Sequence, residues 1–258
     1  MLEIQSSARA AMQVLIHSFS HAGFGCSEKI SGTNNVAGVS SFLNPSPPLA
    51  NQSFNGTNPD SVIIVYGYEH VASVENNTSN STTIPVDTSS KMGTTNYTRF
   101  INFFPSLSPN NFFVIQDVPS TTSIKIDAEI SVTNATKIFR VNPIEYTVVD
   151  GILRERETAG IRDDAIIHNV QDFQLAYTED DSDLDTLAKW RDVPTNPRNV
   201  KAVWIYMILR TEDPEPGHRE TRTFRLPWDS TQFFNGADLP AGFHYQEFQT
   251  QVWLRNVN

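Results

Sequence analysis

The residues best placed to do chemistry form an acidic run over positions 179–185. Asp181, Asp183 and Asp185 alternate within it, and this spacing lets one short turn direct several carboxylate oxygens at a hard cation such as calcium. A calcium loop also needs a glycine at its sharp turn, and Thr186 stands there instead. The run therefore has two interpretations, a calcium site or a solvated loop. Calcium is the only cofactor that the sequence indicates.

Catalysis by a serine or cysteine nucleophile has no motif in this sequence. No Gly-x-Ser-x-Gly turn occurs, and no glycine-rich loop follows a predicted strand to hold a phosphate. The single cysteine, Cys26, is interpreted as a small buried residue after a helix. His17 and His21 are four residues apart, which suits zinc, but no third ligand stands near them in the sequence. We therefore expect a protein that is not an enzyme.

Abundant carboxylates leave one enzymatic alternative open. A secreted hydrolase would need paired carboxylates, and the candidates are Asp163, Asp164, Asp172 and the 179–185 run. Acidic residues are far more often part of a solvated surface.

Charge and composition exclude several other classes. The 258 residues carry 19 basic and 29 acidic side chains, which gives a net charge of −10. Such a chain, with no cluster of basic residues, is a poor partner for nucleic acid or an anionic membrane surface. One cysteine excludes an intrachain disulfide framework. No apolar run approaches the ~20 residues that a membrane-spanning helix needs.

One long segment, residues 4–22, has the period of a helix. Its apolar residues recur every three or four positions, and Gly23 is suited to end it. We expect Ala11, Leu15 and Phe19 to pack this helix on a sheet that contains residues 200–210. The apolar stripe comprises Ala8, Ala11, Met12, Leu15, Ile16, Phe19 and Ala22.

The rest of the chain alternates between strand signals and polar segments. Residues 27–60 and 75–97 are rich in Asn, Ser and Thr and are predicted to be loops. Asp150-Gly151 is typical of a tight hairpin turn, and residues 200–211 are apolar on both faces, as in a central strand. This order predicts an α+β fold, mostly β with long loops, in which an N-terminal helix packs on antiparallel sheets. Strands are predicted at 61–68, 99–104, 112–116, 123–130, 137–141, 144–149, 152–156, 170–178, 200–211, 220–226 and 245–254.

Several passages resemble the PilW minor pilins of type IV pili. The helix end, with Ala8-Arg9-Ala10 and then AGFGC at 22–26, looks like that family's exit from its helix. Residues 168–181, HNVQDFQLAYTEDD, are similar to a family strand that leads into an acidic turn. The other matching passages are WRDVP at 190–194, NVKAVWIYMILRT at 199–211 and VWLRN at 252–256. The same pattern is shared more loosely by pseudopilin J of type II secretion.

The resemblance implies a structural subunit with a pilin-like fold. Residues 1–25 would be the C-terminal half of the pilin helix, without its transmembrane half, and residues 26–258 the globular domain. The protein would help to start or cap pilus assembly, with major and minor pilins and the assembly machinery as partners. It would contact the membrane only through the apolar half of the helix. It would reside in the bacterial cell envelope, in the inner membrane before assembly and then in the periplasm or at the pilus tip.

Two further classes of function stay open beside this one. The first is a type II secretion pseudopilin of the tip complex, because the matching passages are shared. The second is a secreted carbohydrate- or surface-binding β-domain, for which the long Asn/Thr loops would form the contact surface.

Overall fold

The fold consists of one helix and fourteen strands in the part of the chain that the structure describes. This is a computed structural model, and it describes residues 2–23, 43–45, 59–94, 100–104, 112–157, 162–180, 186–196, 199–229 and 233–254. The elements are α1 Leu2–Ser20, β1 Leu43–Pro45, β2 Val62–Ser73, β3 Thr78–Pro85, β4 Phe100–Phe104, β5 Phe112–Ser120, β6 Ser123–Val132, β7 Lys137–Val149, β8 Ile152–Glu157, β9 Asp163–Ile167, β10 Val170–Thr178, β11 Ala202–Arg210, β12 Thr223–Arg225, β13 Phe233–Asn235 and β14 Tyr245–Trp253.

Every strand pair is antiparallel. The large sheet has the order β1-β2-β7-β4-β5-β6-β3, and β8 and β9 extend it from the other half of β7. A second sheet has the order β10-β11-β14, and β12 and β13 form a small ribbon. The predicted fold class, an N-terminal helix with antiparallel β-sheets, is confirmed.

Strand β11 is the central strand of the second sheet, as its sequence predicts. Its side chains alternate between two cores, because successive residues of a strand point to opposite faces. Val203, Ile205 and Met207 lie in the core that also contains α1. Tyr206 and Ile208 lie in a separate aromatic core on the other face.

The predicted hairpin at Asp150-Gly151 joins β7 to β8. Both residues have positive φ, +53° and +72°, as a tight hairpin turn requires. Gly23 also has a positive φ, +76°, directly after the helix, and its backbone amide donates to the carbonyl of Val65 in β2.

Three predictions about local structure are wrong. Residues 75–97 are not all loop, since β3 pairs with β6 and buries Ile84. This strand lies at the edge of its sheet and has mostly Ser and Thr on its exposed positions, so it lacks an apolar alternation. The 27–60 segment contains the short strand β1, and its residues 27–42 and 46–58 lie outside the described part of the chain.

The third wrong prediction concerns strand lengths and number. The expected strand at 220–226 shortens to the three residues of β12. Strand β9 is not among the predicted strands, because it begins with the acidic pair Asp163-Asp164. No helix within the described ranges has the length and apolar content that a membrane span needs.

Candidate functional site

The interface between α1 and the two sheets is the best-defined candidate site. The buried helical residues share one face, because positions three and four apart superpose along a helix. Ala11 is 2% exposed, and Leu15 and Phe19 are fully buried. All three lie in one core with the inner residues of β10, β11 and β14. The structure thus places the three expected packing residues against the sheet that contains β11.

A buried polar contact fixes the end of the helix. The hydroxyl of Tyr146 in β7 lies 2.6 Å from Ser18 Oγ on α1 and donates to Glu155 Oε2 in β8 over 2.9 Å. Burial raises the pKa of the Tyr146 phenol, and the nearby Glu155 carboxylate raises it further, so the phenol stays protonated. This contact therefore ties the helix to both strands of the hairpin. Sequence reasoning missed it, because residues 128 positions apart meet only in the fold.

Each flank of the buried stripe of α1 has an apolar side chain partly in solvent. Val14 is 39% exposed and Ile16 is 37% exposed. At 100° per residue, the two lie on opposite flanks of the buried stripe. The helix therefore offers an apolar contact on each side of the face that it buries.

A cleft of about 700 Å³ lies beside the first turns of the helix. Its walls combine Ile4 and Ser7 of α1 with the β9–β10 turn and the end of β11. Arg210 enters this region, and its guanidinium lies 4.5 Å from the centre of the Phe243 ring. The cleft contains both charge signs and no group of residues that would define a reaction.

Two carboxyl groups, one buried and one partly exposed, border strand β10. Asp172 is fully buried; its Oδ1 accepts from Gln174 Nε2 over 2.9 Å, and its Oδ2 has no hydrogen-bond partner in the described structure. Burial raises the pKa of Asp172 to about 7. Asp60 is partly exposed, and its Oδ2 accepts from the backbone amide of Leu175 over 2.7 Å. Loss of solvent around Asp60 raises its pKa to about 7, although that hydrogen bond opposes the shift.

The carboxylates of the hydrolase alternative occupy different environments. Asp163 lies on exposed β9, where Arg154 and Arg156 are within 3.3 Å of its Oδ1. Asp164 pairs with Arg162 on the same surface. Asp172 belongs to the other sheet and is buried. The arginine partners give Asp163 and Asp164 a structural role, and neither of them is paired with Asp172.

Metal ligation has no support among the described residues. No group of three or more His, Cys, Asp or Glu side chains there could hold a metal ion. His17 and His21 stack with ring centres 4.1 Å apart, and His21 Nδ1 lies 2.6 Å from the carbonyl oxygen of His17. The three predicted calcium ligands, Asp181, Asp183 and Asp185, lie outside the described residues, as does Cys26.

A family model of known proteins matches the C-terminal part of this chain. Residues 145–256 match the family model PilW, described as type IV pilus-assembly protein W. The resemblance to PilW proteins is thereby confirmed over the region from the end of β7 through β14. The protein is thus related to type IV pilus-assembly proteins through its C-terminal region.

One solved structure is similar along the length of the chain. It is a type IV-like pilin from Thermus thermophilus, with 14% sequence identity and a TM-score of 0.46. The similarity covers 99% of this chain and 98% of the other. No curated protein matches the sequence.

Proposed function

We propose that this protein is a minor pilin that helps to start or cap the assembly of a type IV pilus and has no catalytic role. The observation that carries the proposal is the PilW match over residues 145–256. That region supplies β10, β11 and β14, which form the surface that holds α1. The matched part of the chain therefore supplies one of the two sheets against which the helix packs.

The helix is the proposed assembly element. In this account residues 1–25 are the C-terminal half of a longer helix, whose apolar N-terminal half anchors the protein in the inner membrane and then packs among other pilins. Residues 26–258 are the globular domain, which reaches the periplasm or the cell surface at the pilus tip. Val14 and Ile16 extend the apolar contact along both flanks of the helix within the globular domain.

The partners are other major and minor pilins and the assembly machinery. The contact buries apolar helix side chains, and each such side chain removed from water contributes about 1.5–3 kcal/mol. A charge at an exposed apolar position would oppose this burial without disturbing the core of the free domain.

Complementation in the source bacterium tests the proposal. We expect deletion of the gene to reduce the number of surface pili, and expression of the wild-type chain to restore it. The double variant Val14→Glu, Ile16→Glu should fold normally and fail to restore piliation. Val193→Glu is the matched control, because Val193 is 45% exposed and lies away from the helix. Normal piliation in the deletion strain, or full rescue by the helix double variant, would contradict the proposal.

The same strains separate the pilus from type II secretion, since the pseudopilin alternative predicts a different loss. Normal piliation together with loss of protein secretion in the deletion strain would assign the chain to the secretion system.

A further inference from the structure

The outer face of the three-stranded sheet is covered on β10 and β11 but exposed along most of β14. On β10 and β11 this face is covered by a layer that contains Trp190, Phe224, Trp228 and Phe234. On β14 the outward residues after Tyr245 are exposed. They are Glu247, Gln249, Gln251 and Trp253.

Trp253 and Trp204 share this face. Trp253 pairs with Ala202, and Trp204 pairs with Gln251, so the two positions are diagonal neighbours on the same face of β11 and β14. Trp253 is 47% exposed, and Trp204 is partly exposed at the margin of the aromatic layer. Aromatic surface on these two strands therefore extends from the buried layer, at Trp204, out to solvent, at Trp253.

The Trp204 ring has little freedom to move. Its centre lies 5.1 Å from that of Trp190 and 5.7 Å from that of Trp228, and its Nε1 donates to Gln249 Oε1 over 3.2 Å. Tyr206, the next outward residue of β11, donates to Glu247 Oε2 over 2.9 Å. A platform with fixed rings binds a ligand at a smaller entropic cost than one that must be ordered on binding.

Amide groups supply the polar half of this platform. Gln251 lies directly opposite Trp204, and its side-chain amide has no hydrogen-bond partner within the described part of the chain. A side-chain amide has two donors and an acceptor, so it can engage two neighbouring hydroxyl groups of one ligand. From Glu247 to Trp253 the row extends for about 20 Å along the strand.

We propose that this face, formed by Trp204, Gln249, Gln251 and Trp253, binds a neutral polysaccharide chain. The faces of pyranose rings carry C–H groups with a slight positive charge, and these pack on the negative face of an indole ring. The hydroxyl groups at the ring edges then reach the glutamine amides. The net charge of −10 and the exposed Glu247 disfavour an anionic polymer on the same surface.

This proposal is independent of pilus assembly, because it uses the face of the sheet opposite to the helix. A second copy of this chain on the same face would be a different occupant, and self-association that depends on Trp253 would overturn the proposal.

Calorimetric titration of the full chain with cellohexaose and with chitohexaose tests the site. The two probes distinguish a plain glucan from an N-acetylated chain, and we expect saturable binding of at least one. Trp253→Ala should weaken that binding by roughly tenfold, as loss of a central aromatic contact does. Gln251→Ala should weaken it less, and neither variant should change the melting temperature.

Phe104→Ala provides the matched control, since Phe104 is an aromatic residue that is 51% exposed on the other sheet. Binding by this variant should equal that of the wild type. The proposal is overturned if neither hexasaccharide binds, or if Phe104→Ala weakens binding as much as Trp253→Ala. It is also overturned if the wild-type chain self-associates in solution and Trp253→Ala abolishes the association, because the face would then be a protein interface.

Discussion

The two faces of the β10-β11-β14 sheet differ in the side chains that they carry. The helix face is mainly aliphatic, with Phe173 and Tyr177 of β10 as its buried aromatic residues, and it packs over Leu15 and Phe19. The outer face is aromatic, its indole and phenol groups bind carboxylate or amide side chains, and it opens toward solvent at β14. Aliphatic packing holds an element in one position, whereas aromatic surface with polar neighbours suits contact with a ligand. One face thus supports the helix, and we propose recognition of a ligand for the other.

The largest difference between the faces should appear in stability. Phe19→Ala leaves a cavity between α1 and the sheet, and we expect it to lower the free energy of unfolding by about 3–5 kcal/mol. Val14→Ala, on the exposed flank of the same helix, should change it by less than about 0.5 kcal/mol. Urea denaturation monitored by circular dichroism gives both values. A small effect of Phe19→Ala would show that the helix is not held by this core.

A second expected effect is a pH dependence of stability that comes from Asp172 and Asp60, the carboxyl groups beside β10. The raised pKa of Asp172, about 7 against the ordinary 3.8, means that the folded state binds the proton more tightly than the unfolded chain does. Its contribution to stability is therefore fully present below about pH 4 and is lost as the pH rises through about 7. Asp60 has a shift in the same direction and adds to this trend.

Asp172→Asn removes one of these titrations. We expect the variant to be about 1–3 kcal/mol more stable than the wild type at pH 8, with a smaller difference at pH 5. Thermal unfolding from pH 5 to pH 8 measures both curves, and Asp163→Asn on exposed β9 is the control. Equal stability of Asp172→Asn and the wild type at both pH values would argue against a buried ionised Asp172.

A smaller effect compares the two buried tyrosines. Tyr146→Phe removes the contact with Ser18 and Glu155 on the helix face, and we expect a loss of about 1–2 kcal/mol. Tyr206→Phe removes the bond to Glu247 on the outer face and should cost less, because exposed Glu247 can bind water instead. Denaturation of the two variants under the same conditions checks the order. A greater loss of stability for Tyr206→Phe would show that the polar contact on the outer face stabilises the fold more than the one on the helix face.

The smallest effect on stability is expected for Trp253, on the exposed part of the outer face. Trp253→Ala should change the free energy of unfolding by less than about 0.5 kcal/mol, since Trp253 is half exposed and belongs to neither core. The same denaturation experiment detects any larger loss, which would show that Trp253 is a structural residue and not part of an open platform.

The elements with regular apolar periods could be predicted from the sequence. The helix stripe, the two-faced strand β11 and the Asp150-Gly151 turn each have a local signal that the structure reproduces. Strands β3 and β9 could not be found in this way. Ser and Thr occupy five of the eight positions of β3, and Asp occupies the first two positions of β9, so only pairing with β6 and β8 makes them strands. Such segments become strands through tertiary pairing, which no local sequence pattern indicates.

The candidate site residues also differ in whether a local sequence signal predicts them. The apolar packing positions on α1 follow from spacing alone. The Tyr146–Ser18–Glu155 contact, the isolated Asp172 carboxyl group and the diagonal pair of Trp204 and Trp253 arise from strand register, which a single sequence does not specify. The calcium interpretation of Asp181, Asp183 and Asp185 stays a prediction. Calorimetry with calcium on the wild type and on Asp183→Ala would test it.

The central claim is that the exposed flanks of α1 contact other pilins. A photo-crosslinking amino acid at position 16, introduced into the full chain in the source bacterium, tests it most directly. We predict adducts between this chain and another pilin subunit, and none when the same group replaces Phe104 on the large sheet. Efficient adducts from position 104 together with none from position 16 would contradict the account.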